Sequence, residues 1–479
     1  MSSTNHPEGP RTHGGAEAFH LTPIEELRRT VLSCMLWEGE AYESGGSIAS
    51  RIAELVPACD PATVAQLAIE AREQQHLRHV PLLLVRALAR CARGKLVGDT
   101  LARVIQRPDE IAEFMAIYWK DGKCPLAKQV KVGLARAFRK FDEYQFSKWE
   151  KADSPIKLRD VLFMVHGKPR TTSGHCTKLE RRIAKAEGKL HAVTADEQLY
   201  ERIVDRTLKT PETWEVGLSA AKGDEGGSKD VFEAMLREGK LPYMALLRNL
   251  RKMTELGVDR GLITQAIEAR RGAAKVLPFR FLSAAREAPQ FEASLDKAMV
   301  ASLQEGPKLP GRTLIVLDVS GSMGSLLSSK STLNRIDAGA ALCAILREQC
   351  EEAVVYATAG SDRTRTHATK SVPARHGMAL VAAFHESYRV LGGGGIFLKP
   401  MLDFINEREM YDRIVVVTDE QDCAVDHAQS PKLAEPGCGR AYLINVASAK
   451  NGIGYGKWTH IDGFSEASVD FIRAVEAQA

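Results

Sequence analysis

The sequence predicts two architectures in series: a long array of paired α-helices, then an α/β domain on a doubly wound, Rossmann-like parallel sheet. Three observations carry this. Amphipathic segments, mostly eight to sixteen residues long, follow one another from residue 21 to 306 with short polar breaks. From residue 307 onward, short apolar runs alternate with helical segments. Between the two, Pro307, Pro310 and Gly311 punctuate the chain.

Residues 1–20 are rich in Gly, Pro, His and Ser without periodicity and are expected to be a disordered tail. Pro23-Ile24-Glu25-Glu26 opens the first helix, with proline and acids in its first turn. Asp60-Pro61 reads as a cap and an N1 proline, ahead of apolar Val64, Leu67, Ala68 and Ala71. Pro81 opens another helix. Further segments span 108–119, 126–141, 157–165, 194–208, 231–236, 244–253 and 261–269. No strict repeat period is present, so stacked antiparallel pairs of the HEAT kind fit better than one compact bundle.

In the second part, strands are expected at 312–318, 352–357, 413–418 and 440–446. Helices are expected at 331–349, 376–390, 400–409, 428–434 and 465–476. The run Leu314–Leu317 ends at Asp318-Val319-Ser320-Gly321-Ser322, which sets an acid and two hydroxyls on the loop at a strand's carboxyl end. Ligands of open α/β sheets sit in that crevice. Hard oxygen donors suit Mg²⁺, Mn²⁺ or Ca²⁺ better than zinc or copper. The run Ile414–Thr418 brings a second acid, Asp419. Asp-x-Ser-x-Ser after a buried strand resembles the metal-ion-dependent adhesion site of von Willebrand A domains. That pattern adds a threonine on an intermediate loop, where this chain has Gly394. The expected metal ligands are therefore Asp318, Ser320, Ser322 and Asp419, with weak or incomplete binding of a divalent cation.

Net charge is +4, unevenly divided. Residues 1–310 hold 48 Lys/Arg against 41 Asp/Glu, and the remainder 17 against 20. The helical part thus has a mild basic surplus suited to an anionic partner. Lys128, Lys131, Arg136, Arg139 and Lys140 fall in one helix. Lys148, Lys151, Lys157, Arg159, His166, Lys168 and Arg170 follow, with Trp149 and Phe163 among them. A third cluster is Lys178, Arg181, Arg182, Lys185 and Lys189. Basic runs with interleaved aromatics suit phosphate contacts and base stacking on single strands. A solvated helix face balanced by Glu180 and Glu187 is the alternative for such a cluster. Nine cysteines without a Cys-x-x-Cys pair argue against zinc fingers and disulfide frameworks. No apolar run of eighteen exists, and the first fifteen residues lack the apolar core of a secretory signal. A cytoplasmic protein without a membrane span is expected.

With these motifs in place, the chain resembles the Ro autoantigen family, which joins a TROVE module of HEAT-like helices to a von Willebrand A domain. The resemblance rests on Gly14-Gly15-Ala16 before Leu21-Thr22-Pro23 and on Tyr144-Gln145 to Lys148-Trp149. It continues through Arg159-Asp160-Val161-Leu162, His166-Gly167-Lys168-Pro169, Leu241 to Met253, Pro278-Phe279-Arg280-Phe281 and Ile461-Asp462-Gly463-Phe464. It implies a TROVE module over 21–306, shaped as a ring or horseshoe, and a von Willebrand A-like domain over 307–479. It further implies binding of small noncoding Y-type RNA and of single-stranded ends of misfolded RNA. An exoribonuclease partner such as polynucleotide phosphorylase and a monomeric state are also expected. Lys148 and His166 match family positions that contact RNA. The next basic position falls at Ala152 or Asp153, with Lys151 beside it.

The first functional hypothesis is a non-enzymatic RNA-binding scaffold using Lys128, Lys131, Arg136, Arg139, Lys148, Lys151, His166, Lys168 and Arg170. The second is an adaptor that captures a partner's carboxylate on a metal held at Asp318. The third, a nuclease activating water between Asp318 and Asp419, lacks an evident general base.

Overall fold

The computed structural model describes residues 12, 20–32, 45–150, 154–169, 186–187, 194–210, 213–221, 227–273, 276, 278–304, 307–327, 331–391, 393–423, 436–447, 453, 456–463 and 467–477. The chain divides into two compact units: residues 49–217, and residues 1–48 together with 218–479.

In the unit 49–217, local signals set the helix starts. Asp60 accepts from the Thr63 amide at 2.9 Å and caps Pro61–Glu73. Capping boxes Asp142/Gln145 and Thr194/Glu197 open Glu143–Trp149 and Ala195–Asp205. Helices Pro61–Glu73, Leu96–Val104, Lys128–Phe138 and Leu158–Val165 pack each on the next in one row. His79–Cys91 and Asp109–Tyr118 form a second row beside them. Two rows of short helices are the solenoid arrangement, in which each element buries its apolar stripe on its neighbours. Leu96–Val104 and Lys128–Phe138 approach closest at two glycines. A Cβ on Gly133 would sit 2.8 Å from Leu101 Cβ and 2.9 Å from the Gly98 carbonyl oxygen.

In the other unit, six strands run β1 Leu309–Asp318, β2 Cys350–Ser361, β3 Thr366–Val372, β4 Arg413–Thr418, β5 Ala441–Asn445 and β6 Thr459–Asp462. Their spatial order is β3-β2-β1-β4-β5-β6. The order reverses between β1 and β4, so the switch point falls at the carboxyl ends of those two strands. Leu314, Val316, Ile414, Val416 and Leu443 pack on Leu398, Met401, Leu402 and Ile405 of the helix Leu398–Asn406. On the other face, Gly339 of the helix Arg335–Gln349 lets Leu317 approach, where a Cβ would be 2.5 Å from its Cδ1. All four expected strands are present.

Several expectations need correction. The sheet is mixed, because β3 runs antiparallel to β2. Only four residues join them, with Arg365 in the left-handed region at φ +57; a parallel return needs a crossover of a dozen or more. The helix expected at 331–349 begins at Arg335, behind a capping box of Asn334 and Asp337. The 428–434 segment lies outside the described residues. Of the tail 1–20, only Thr12 and His20 are among the described residues, and Thr12 donates its hydroxyl to the Asp422 carbonyl at 2.8 Å.

The change of composition at 307 is not a change of packing. Gly227–Glu238, Arg260–Ala269 and Glu292–Leu303 stack in one row that continues onto Gly377–Leu391. Tyr243–Glu255 and Pro278–Glu287 form a second row that continues onto Arg335–Gln349. At that junction the buried Asp337 carboxylate accepts from Arg286 (2.9 Å to Nη1) and from His385 Nε2 at 2.8 Å.

Candidate functional site

The basic surface of unit 49–217 starts on the helix Lys128–Phe138. Val130, Gly133, Leu134, Ala137 and Phe138 face the core, so Lys128, Arg136 and Arg139 are left on the exposed side, with Lys131 half-buried. Their charges are engaged differently. Arg136 is ion-paired with Asp99. Arg139 Nε donates to the Lys168 carbonyl at 2.9 Å, tying the segment after Leu158–Val165 to this helix. Lys140 Nζ donates to the carbonyls of Ala102, at 2.9 Å, and Ile105. It thereby closes the end of Leu96–Val104, and burial pushes its pKa down. Lys128, Lys131, Lys148 and Lys168 form no ion pair among the described residues.

His166 ends the helix Leu158–Val165 in the left-handed region at φ +51. Glycine usually takes that position, but Gly167 is already required next door, where a Cβ would lie 2.5 Å from Leu162 Cδ1. His166 and Lys168 are both exposed, and the Lys168 carbonyl accepts from Arg139. Lys151, Arg170 and the whole third cluster lie outside the described residues.

Aromatic groups accompany these cations. Phe163 is 51% exposed, with the Arg159 guanidinium 5.6 Å from its ring centre, and Tyr144 is 49% exposed. Arg107 stacks on Trp149 at 3.7 Å. That pair lines a cleft of about 350 Å³ with Arg78, Glu113, Ile156 and Leu158. The sequence reading missed Arg107, because it sits 42 positions from Trp149 and no local spacing joins them.

The second candidate lies at the switch point of the sheet. Asp318 ends β1 fully buried. Its Oδ1 accepts from the Ser320 amide at 2.8 Å and its Oδ2 from the Thr418 hydroxyl at 2.6 Å. The hydroxyls of Ser320 and Ser322 are 3.2 Å apart. Asp419 follows β4, fully buried, and accepts from Arg335 Nη1 at 3.3 Å. Burial, and after it the neighbouring Asp419 charge, push Asp318 up to about 7, against the opposing hydrogen bonds from Thr418 and Ser320. The glycine segment closes over the motif loop: the Gly321 amide donates to the Gly394 carbonyl at 3.0 Å. A Cβ on Gly394 would lie 2.0 Å from the Gly360 carbonyl oxygen, so backbone fills the place where a threonine side chain would start.

The four expected ligands are thus gathered, and they do not fit a resident divalent cation. The third hydroxyl is excluded sterically, and an arginine of the same chain holds Asp419. No group of three or more His, Cys, Asp or Glu suited to a metal occurs among the described residues. The sequence reading overlooked Arg335. Its one signal is a strong base opening an otherwise small and apolar helix, RIDAGAALCAIL.

Beside Asp419, Glu420 is buried at φ +61 and paired with Arg29 of the helix Pro23–Leu32 and with His460 of β6. His460 also faces Asp462 at 3.4 Å. The two carboxylates overcome its desolvation and push it up to about 9.

Comparison with known proteins bears on both regions. Residues 200–391 match the TROVE domain. The crystal structure of the Ro (RSR) protein of Deinococcus radiodurans superposes with a TM-score of 0.57 over 95% of this chain and 99% of that one, at 17% identity. The fold is similar to that of the Ro protein. Telomerase protein component 1 of Mus musculus is 29% identical over 170 residues, and that of Rattus norvegicus 36% over 93 residues. Those matches cover 33% and 18% of this chain but 6% and 3% of the much longer relatives. The TROVE match crosses residue 307, as the helix rows do. No helix of the described residues is long and apolar enough to cross a membrane.

Proposed function

We propose that this Ro-like chain is an RNA-binding scaffold, without catalytic activity of its own, acting in the cytoplasm. The observation that carries the reading is the set of lysines without ion pairs, Lys128, Lys131, Lys148 and Lys168, accompanied by His166 and the exposed rings of Phe163 and Tyr144. Ammonium groups with no carboxylate partner among the described residues can exchange counterions for phosphates. Exposed aromatic faces stack on unpaired bases regardless of sequence. Together they favour RNA with a single-stranded portion over a perfect duplex, whose bases are hidden in the stack. The finer reading is a small noncoding Y-type RNA and the single-stranded ends of misfolded RNA, with handover to an exoribonuclease and a monomeric state. It is supported by the TROVE match and by Lys148 and His166 standing at RNA-contacting family positions.

The test is binding of the purified chain to a structured RNA with and without a single-stranded 3′ tail across a salt series. Tail-dependent binding that weakens steeply with salt is expected. Equal, salt-insensitive binding of both RNAs, or binding of neither, would sink the proposal.

A further inference from the structure

We propose that the guanidinium of Arg335 is the resident cation of the crevice between β1 and β4, and that the chain holds no divalent metal there. The crevice needs a positive charge, since Asp318 and Asp419 are both fully buried and an uncompensated buried carboxylate is strongly unfavourable. Arg335 is 1% exposed and reaches Asp419 at 3.3 Å.

Its position is set by the backbone. Asn334 and Asp337 fix the start of its helix through a reciprocal capping box. The Arg335 amide donates to the Ser325 carbonyl at 3.0 Å, and Leu326 bridges to Asn334. The loop that carries Ser320 and Ser322 therefore also seats the arginine. A divalent ion at the serine hydroxyls would face this guanidinium across Asp419, and two cations at one buried carboxylate repel.

The opposite wall leaves the crevice one donor short. With the Gly360 carbonyl oxygen 2.0 Å from where a Cβ on Gly394 would stand, no side chain can supply a hydroxyl from that loop. Capture of a partner's carboxylate as the last ligand of a metal is closed on this crevice, which also removes the adaptor hypothesis at this site.

The experiment is titration of the full chain, stripped with EDTA, with Mn²⁺, read by calorimetry and by the free-ion magnetic resonance signal. The wild type is expected to show no saturable site up to millimolar Mn²⁺ and no shift in Tm. Saturable binding that a folded Asp419→Asn chain loses would overturn the proposal, whereas binding that it keeps lies outside this crevice. Arg335→Gln, checked for folding by circular dichroism, is expected to gain Mn²⁺ affinity by roughly tenfold or more over the wild type, because a carboxylate is released for coordination. A folded Arg335→Gln chain that binds Mn²⁺ no better than the wild type would also overturn the assignment.

Discussion

The two candidate regions use the same residue types in opposite ways. On the helical unit, Lys128 and Lys168 are exposed, Lys148 is half-buried, and none of the three is ion-paired among the described residues. At the carboxyl end of the sheet, Arg29 and Arg335 are almost fully buried, each against an acid of its own chain. A cation left unpaired at a surface is available to an external anion, whereas a paired, buried one has already spent its charge on the fold. Counting basic residues along the sequence cannot separate these cases; the pairing can.

The comparison breaks first at its buried end. Arg29→Ala leaves Glu420 buried with only His460 beside it and is expected to destabilise its unit by about 3–5 kcal/mol, as removal of one partner of a buried pair does. Chemical denaturation read by circular dichroism checks this; a loss below about 1 kcal/mol would place Arg29 with surface pairs. Next, Gly394→Thr, which supplies the hydroxyl that the adhesion-site pattern expects, should cost about 1–3 kcal/mol through overpacking against Gly360. A variant of unchanged Tm that gained a metal site would refute the steric account.

The surface end predicts a binding effect instead. Lys128→Gln with Lys168→Gln should reduce RNA affinity by roughly tenfold and flatten the salt slope by about 1.4, at about 0.7 per single-strand phosphate contact. Arg136→Gln, whose partner is Asp99, should change it much less, and equal effects would erase the distinction drawn above. The pH dependence comes last. Asp318 has a folded pKa raised to about 7, so its favourable contribution is full below the ordinary carboxylate range and is lost as pH rises through 7. His460, raised to about 9, contributes fully below its usual value near 6.5 and loses that contribution as pH rises through 9. Tm should therefore fall in two stages as pH rises, the first between 3.8 and about 7 and the second between 6.5 and about 9. Asp318→Asn should abolish the first and leave the second.

The fold was legible wherever one local signal decided it. Asp60-Pro61 announced a helix start, and the runs Leu314–Leu317 and Ile414–Val417 announced strands buried on both faces. β3, Thr366–Val372, was not legible, because an edge strand with one exposed face carries the polar sequence THATKSV. The helices Pro278–Glu287 and Glu292–Leu303 were missed because their burial is decided by the α/β helices they rest on, far along the chain. The acids and serines of the crevice were read from their spacing. What holds them was not, since Arg335 and Gly360 reach the site only through the fold.

The Arg29–Glu420 pair joins residues 391 apart in sequence and so bears on the order in which the chain is made. The helix Pro23–Leu32 is synthesised near the beginning, whereas its buried counter-charge and His460 come near the end. At about 5–20 residues per second, that interval is on the order of 20–80 s. Until then Arg29 lacks the Glu420 carboxylate, and the apolar stripe of Leu27 and Val31 has no cover from the sheet. The segment 49–217 is contiguous and can complete its own core meanwhile. In a ribosome-bound nascent chain the helix Pro23–Leu32 therefore waits for the turn after β4, 391 residues on.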